Sequence, residues 1–406
     1  MRSLLAALLV TSSATAADWP QFLGPKRDNT TTEKVAAWTG EPKVLWKQPV
    51  GEAHASPVVA DGVVYAFYQP KGKNADALAA YDAKTGEQKW EKSYDREPLD
   101  LLFGNGPRGT PAVAGGQVFT LGSTGVLAAW DAKTGEVQWK VDTLKKFQAE
   151  NLFFGISGSP LVADGKVFVN VGGKGAGVVA FDCKTGEVAW KATDDNASYS
   201  SPIAVGTGKA AEVVFLTKQY LRGLAVADGA ELWKVPFADR SSESATTPLV
   251  VGESLVASSV TRGAELFKLT LGEKPGVTSE WKKPKLNCYF STPVAVGDDL
   301  YMLNGVLSIT PSITLRCVEA KTGTVRWEKK GVGGYHAALV LTGDGKLLML
   351  DDKGGLTLFQ PDAKEYKELA KSKVCGPTWA HPALVNGVVY LRDEKQLFAI
   401  ELPAGK

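Results

Sequence analysis

Three stretches of the chain read almost alike: Ala80-Tyr-Asp-Ala-Lys-Thr-Gly-Glu-Gln-Lys-Trp90, Ala129-Trp-Asp-Ala-Lys-Thr-Gly-Glu-Val-Gln-Trp139 and Ala180-Phe-Asp-Cys-Lys-Thr-Gly-Glu-Val-Ala-Trp190. Each predicts a strand, a tight turn carrying Asp and Lys-Thr-Gly, and a second strand. The glycine falls where such a turn needs positive φ, and alternation on either side fits half-buried strands. Cys317 to Trp327 repeats the frame, with Lys-Thr-Gly at 321–323. Gly223 to Trp233 keeps the Gly and Trp positions, and a looser copy with an insertion ends at Trp281.

A second signal precedes each copy: a small polar residue, usually Pro, an apolar run, a turn and another apolar strand. It begins at Ser56-Pro57 and recurs at Thr110-Pro111, Ser159-Pro160, Ser201-Pro202, Thr247-Pro248, Thr292-Pro293, Ala337-Ala338 and His381-Pro382. The spacings are 54, 49, 42, 46, 45, 45 and 44 residues. Eight units about 46 residues long match the four-strands-per-blade period of a β-propeller. The eighth unit holds only three strands before the chain stops. Its fourth is supplied by Thr39-Gly-Glu-Pro-Lys-Val-Leu-Trp46-Lys near the other end. The predicted fold is therefore all-β: an eight-bladed propeller of four-stranded antiparallel blades over residues 41–406, closed by an N-terminal strand completing the last blade. Seven of the eleven tryptophans (Trp46, Trp90, Trp139, Trp190, Trp233, Trp281, Trp327) share one repeat position, and only the seventh blade lacks its copy. Such regularity assigns them to packing between blades.

The 406 residues are 44% hydrophobic and 22% charged, as in an ordinary globular protein. A net charge of +2 gives no electrostatic reason for nucleic acid or anionic membrane as the main partner. Residues 1–16 have the layout of a secretory signal peptide: Arg2, the apolar run Leu4 to Val10, and an Ala14-Thr-Ala16 cleavage site. Residues 17–40 form an N-terminal extension. The expectation is a mature protein that is exported, periplasmic or secreted, with no transmembrane segment, no lipidation Cys and a monomeric state. Four cysteines make no disulfide framework. Cys288 and Cys375 are the pair to test for an isolated bridge, Cys183 is expected in an exposed turn, and Cys317, replacing a repeat Ala, is expected to be buried.

The frame A-[YWF]-D-x-K-T-G-x-x-x-W resembles that of the pyrroloquinoline-quinone (PQQ)-type eight-bladed propellers, from about Val44 to Leu402. The opening Asp18-Trp-Pro-Gln-Phe-Leu-Gly-Pro25 is similar to the start of exported bacterial proteins of that superfamily. The resemblance implies either a PQQ- and calcium-dependent oxidoreductase acting on alcohols or sugars, or a BamB-like scaffold of outer-membrane protein assembly that binds no cofactor. Fold alone does not choose between them. Against the oxidoreductase, no two Cys are adjacent, no C-x-x-C-H occurs, the eight units leave no long insertion to roof a cofactor, and no calcium-binding Glu/Asn pair with a catalytic Asp is matched. The scaffold comparison departs in lacking a lipidation Cys.

In a propeller the segments leading into the innermost strands ring one mouth of the central channel. The third residue before the repeat Pro is His54, Arg108, Ser157, Tyr199, Ala245, Phe290, Tyr335 and Trp379 in blades one to eight. Six of these are aromatic, His or Arg, residue types enriched in binding hot spots and equally suited to packing the rim. All three histidines (His54, His336, His381) fall in these segments, in blades that become consecutive on closure. Strand alternation places His54 and His381 on one side and His336 on the other, which argues against a metal cluster. Asp351-Asp352 and Asp194-Asp195 lack calcium-loop spacing, and Gly172-Gly-Lys-Gly175 precedes no helix that could hold phosphate. The sequence thus predicts a non-catalytic binding scaffold with an envelope protein partner, using His54, Arg108, Tyr199, Phe290, Tyr335, His336, Trp379 and His381. No cofactor is expected. PQQ with calcium, seated near Arg108, Tyr199, Tyr335 and Trp379, is the alternative, and a small-ligand or glycan sensor is a second.

Overall fold

In the first repeat Asp82 Oδ1 accepts hydrogen bonds from the N–H groups of Lys84 and Thr85 at 3.1 and 3.0 Å, and from the Thr85 hydroxyl. Asp131 and Asp182 close their turns in the same way. Gly86 follows with φ +74°. A Cβ there would sit 2.7 Å from the ring of Trp46, which belongs to the neighbouring blade. Gly135 meets Trp90 and Gly186 meets Trp139 in the same manner. The repeat Gly is thus doubly required, for its backbone and for the ring lying on it.

The tryptophan explains the rest of the frame. Its indole crosses a small residue on the third strand, in the pairs Ala80↔Trp90, Ala129↔Trp139, Ala180↔Trp190 and Ala399↔Trp46, and each crossing is accompanied by a register shift. Trp46, Trp139, Trp190 and Trp281 each donate their indole N–H to a carbonyl in the next blade, those of Ala83, Cys183, Val226 and Ala320, at 2.8–3.1 Å. Burying an indole contributes ~4–6 kcal/mol at 150–250 Å² and 25 cal/mol per Å². In blade seven Ala370 stands opposite Leu358 where the others place Trp.

The computed structural model describes residues 18–305, 308 and 310–405. The signal-peptide expectation for residues 1–16 lies outside these. Eight four-stranded antiparallel sheets follow one another along the chain. Blade one pairs Val58–Ala60, Val63–Tyr68, Ala75–Asp82 and Gln88–Asp95 in order. In blade eight Lys43–Pro49 pairs with Gln396–Glu401, beyond Val388–Arg392 and Ala383–Val385, so the ring closes through the N-terminal strand.

The innermost strands are only three residues long in seven blades, and a belt of hydroxyls ties them together ahead of the Pro. The N–H of His381 donates to Ser56 Oγ, that of Ser56 to Thr110 Oγ1, that of Thr110 to Ser159 Oγ and that of Ser159 to Ser201 Oγ, at 2.8–3.1 Å. Each hydroxyl thereby satisfies a buried N–H of the preceding blade, which is why a small polar residue recurs there.

The N-terminal extension crosses the opposite end of the channel. Trp19, 2% exposed, exchanges two backbone hydrogen bonds with Val59 of blade one. Pro20 accepts from Val113 in blade two, Arg27 donates to the Ser159 and Pro160 carbonyls in blade three, and Asn29 and Thr31 bind Leu341 in blade seven. This strap ties blades one, two, three and seven together and carries Phe22 to within 5.0 Å of the His381 ring, beneath the other mouth.

Three expectations are corrected. The four cysteines are free and buried. Cys288 packs with Leu286 and Met302, whereas Cys375 belongs to the cluster around Leu356 and Leu358, so the proposed bridge has no geometry to form. Cys183 is not exposed, because its carbonyl anchors Trp139 of the preceding blade and the indole covers its turn. The mouth is also not free of covering loops: residues 96–111, and 148–160 after the short helix Thr143–Phe147, carry aromatic side chains over it.

Candidate functional site

One cavity of about 190 Å³ lies at the mouth opposite the strap, and all eight residues at the third position before the repeat Pro line it. A single register position, delivered once per blade, converges because each segment leading into an innermost strand points at the ring axis. The structure also brings all three histidines to this cavity. His336, expected on the opposite side from His54 and His381, has its ring centroid 5.1 Å from that of His381. The innermost strand of blade seven, Ala337–Leu341, runs five residues without the Pro, and its altered start turns His336 inward.

Trp379 is the hub of the aromatic wall. Its ring centroid lies 4.9 Å from His54, 5.5 Å from Phe103 and 5.8 Å from both Phe290 and Tyr335. Phe103 reaches across from the loop between blades one and two. Its carbonyl accepts from His54 Nε2 at 2.8 Å and from Arg108 at 3.2 Å. Since a carbonyl only accepts, the proton of His54 is on Nε2. Arg108 gives its remaining bonds to the carbonyls of Gly104 and Gly106, at 3.0 and 3.1 Å. These glycines allow that loop to lie against Glu52, whose atoms a Cβ at either position would meet at 2.0 Å or less. On the other flank Tyr199 accepts from the Phe154 N–H at 3.3 Å, and the Tyr289 hydroxyl donates to Glu243.

The site is electrically quiet. Burial holds the imidazoles of His54 and His336 down to about 4, and that of His381 well below the ordinary range, so all three are neutral at neutral pH. Burial lowers Arg108 to about 10, leaving it a cation whose donors are aimed at its own loop. The carboxylate that supports its charge is that of Glu52. His336 and His381 are 3% and 4% exposed, and His336 Nε2 and both ring nitrogens of His381 have no hydrogen-bond partner among the described residues.

Sequence reasoning missed Phe22, Phe103, Phe154, Glu243 and Tyr289, all of which line the cavity. A signal for two of them was present: Leu101-Leu-Phe-Gly104 and Leu152-Phe-Phe-Gly155 are a second, shorter repeat. Both glycines have positive φ, +84° and +75°, and set the preceding Phe over the mouth. The acidic pairs are occupied elsewhere. Asp352 accepts from the N–H groups of Gly334 and Tyr335, and Asp195 pairs with Arg222 at 2.6 Å. Among the described residues no group of three or more His, Cys, Asp or Glu is placed to hold a metal ion, and no helix is long and apolar enough to cross a membrane.

The residues present do not fit PQQ with calcium. PQQ is a tricarboxylate. Among the described residues the one Lys or Arg lining the cavity is already bonded to three carbonyls, the histidines are uncharged, and Glu243 is a single carboxylate where calcium takes about six to eight oxygen ligands.

Known proteins give the fold a context. BamB from Moraxella catarrhalis superposes with a TM-score of 0.63 at 16% identity, covering 90% of this chain and 99% of that one. Quinohemoprotein alcohol dehydrogenase ADHIIG from Pseudomonas putida HK5 gives 0.68 at 14%, covering 96% and 81%. A europium-containing methanol dehydrogenase gives 0.63 at 14%, covering 95% and 89%. At these identities the likeness is one of fold, shared by BamB and by the dehydrogenases alike. A comparison with curated proteins by sequence returned no match. The family model described as outer membrane protein assembly factor BamB matches residues 29–105 and 99–329, and this chain belongs to that PQQ-like propeller family.

Proposed function

We propose that this protein is a non-catalytic propeller of the cell envelope that holds a protein partner at its strap-free mouth. The observation that carries the reading is the lip of the cavity. Leu102 and Phe153 are 74% and 73% exposed, and Phe103, next to Leu102 in the chain and in contact with Phe154, is 38% exposed. Large apolar side chains gathered beside an aromatic cavity are costly to leave in water and mark interaction surfaces. Among the described residues the arginine is bonded to its own loop, and the one hydroxyl bonded to a floor histidine, Ser291 Oγ, gives its proton to the Ala337 carbonyl, which favours binding over nucleophilic chemistry.

The test is site-specific photo-crosslinking from residue 153 in cells, with the same probe at exposed Val325 on a blade rim as control. A discrete adduct from residue 153 alone supports the reading. Equal labelling at both positions overturns it, as does micromolar binding of PQQ with calcium by calorimetry accompanied by dye reduction.

A further inference from the structure

The floor of the cavity has hydrogen-bonding capacity that nothing in the protein uses, and its chemistry specifies what comes in. Ser291 Oγ donates to the Ala337 carbonyl at 2.6 Å, so its remaining capacity toward His336 Nδ1, at 3.4 Å, is as an acceptor. The His336 proton therefore sits on Nδ1, and Nε2 is a lone pair in need of a donor. His381 beside it carries one unpaired N–H and one unpaired lone pair. A neutral hydroxyl answers this set: it donates to His336 Nε2 and accepts from His381. A carboxylate does not, because it has no proton to offer Nε2, and a phosphate would bring charge into a cavity whose arginine already directs its donors to its own loop. Leaving these atoms dry and unpaired costs ~1–3 kcal/mol for each.

The walls specify the rest. Phe22 packs edge-on against His381 from the strap side, and above the histidines the cavity is bounded by Phe103, Phe154, Phe290, Tyr335 and Trp379. At about 190 Å³ it is slightly larger than the ~150 Å³ that holds one benzene ring in an engineered core. A pyranose carries hydroxyls all round its equator; Ser157, Ser201 and Glu243 on one side of the cavity could meet some of them, but those turned toward Phe103, Phe290 and Trp379 would have no partner. A phenol has an apolar ring and one hydroxyl at its far end, which is how this cavity is arranged. The ring would enter past the lip, where Leu102 and Phe153 meet whatever flanks it.

We infer that the mouth cavity is a socket for a tyrosine side chain of the partner, its ring against Trp379 and its hydroxyl between His336 and His381. This rests on the protein-partner reading and names its anchor. Aromatic anchors seated in preformed pockets are what hot spots consist of.

The probe is p-cresol, the tyrosine side chain as a free molecule, compared with toluene and methyl glucoside on the mature full-length protein. The chain has only three histidines, so their imidazole resonances are countable by NMR, and 15N shifts read the tautomers. The expected result is that p-cresol moves the His336 and His381 signals and binds ~10–100-fold more tightly than toluene, the ratio expected for one satisfied polar pair. His336→Leu should erase that preference while toluene still binds. His336→Gln, which returns an acceptor, should keep part of it and guards against a folding defect. Equal affinity for p-cresol and toluene overturns the inference. So does methyl glucoside binding in preference to p-cresol, or imidazole signals that no probe moves, in which case the floor holds only water. If p-cresol fails while residue 153 still crosslinks a discrete partner, the scaffold reading stands and the tyrosine socket falls.

Discussion

Lowering the pH should unfold this propeller through its buried imidazoles, and His336 lets the size be worked out. An unfolded histidine takes its proton near 6.5. In the folded chain burial holds His336 down to about 4, although the Asp352 carboxylate facing it pulls the other way and His54 adds a small push downward. The remaining neighbours, Ser291 and His381, bring no charge at neutral pH. Folded pKa below unfolded pKa means that the unfolded chain holds more protons in between. The contribution to stability is complete above about 6.5 and is lost as pH falls through about 4. That interval is worth ~3 kcal/mol for His336 alone, a large fraction of the ~5–15 kcal/mol that holds a domain folded. His381 acts in the same direction. Urea unfolding of the wild type and of His336→Gln, from about pH 7 to about pH 4, isolates the effect, since every carboxylate is common to both. The stability difference should fall by ~3 kcal/mol across the range, with the variant the less acid-sensitive. A difference that stays flat would refute the reasoning: the imidazole would be hydrated and titrating normally, and the dry, half-satisfied floor would go with it.

Three further outcomes follow from the packing. Gly135→Ala puts a methyl 2.5 Å from Trp90 at a residue with φ +75°, whereas Gly115→Ala, φ +58°, meets nothing; urea unfolding should show the first costing at least ~1 kcal/mol more than the second. Arg96→Ala strands Asp76, since both side chains of that pair are fully buried at 2.9 Å, and should cost ~3–5 kcal/mol by the same measurement. All four thiols are buried, with burial pushing them up to about 11 for Cys183 and Cys317 and about 12 for Cys288 and Cys375. A thiol reagent should therefore label native protein only at the rate of opening, and rapid reaction of any one cysteine at neutral pH would contradict the packing around it.

The frame of the fold was legible because each repeated residue has a local job that every blade needs. Asp closes a turn on Lys84 and Thr85, Gly86 admits the ring of Trp46, and Ser56 caps the N–H of His381. The register of the mouth was legible for the same reason, since counting three residues back from Pro is counting along a strand of known direction. What depends on a departure from the repeat was not. His336 sits in the blade without the Pro, and alternation carried across that irregular start gives the wrong side. Phe103 and Phe154 hang from connections whose lengths no period fixes. Phe22 comes from a strap that crosses the whole ring, and Trp19 reaches Val59 through a pairing 40 residues apart that no local pattern encodes.

The comparison among blades within this one chain also says which positions the fold leaves undetermined. Where the scaffold sets the requirement, the blades agree: the tryptophan recurs in seven and the small hydroxyl ahead of the innermost strand in six. Three residues before the Pro they disagree almost completely, as His, Arg, Ser, Tyr, Ala, Phe, Tyr and Trp, although the backbone brings all eight to the same ring. Packing alone asks for similar side chains at equivalent places, as the indoles demonstrate. A position that converges on one cavity yet differs from blade to blade answers instead to something without eightfold symmetry. An asymmetric guest is such a thing: a ring lying on Trp379, with its polar end on the side of blades seven and eight, where His336 and His381 meet, and away from the small Ser157 and Ala245. Exchanging Trp379 and Ala245 by Trp379→Ala with Ala245→Trp would conserve the cavity's composition and move the wall. If the guest sets the pattern, p-cresol binding is lost in the exchanged protein while its unfolding midpoint changes little. If packing sets it, the midpoint drops along with the binding.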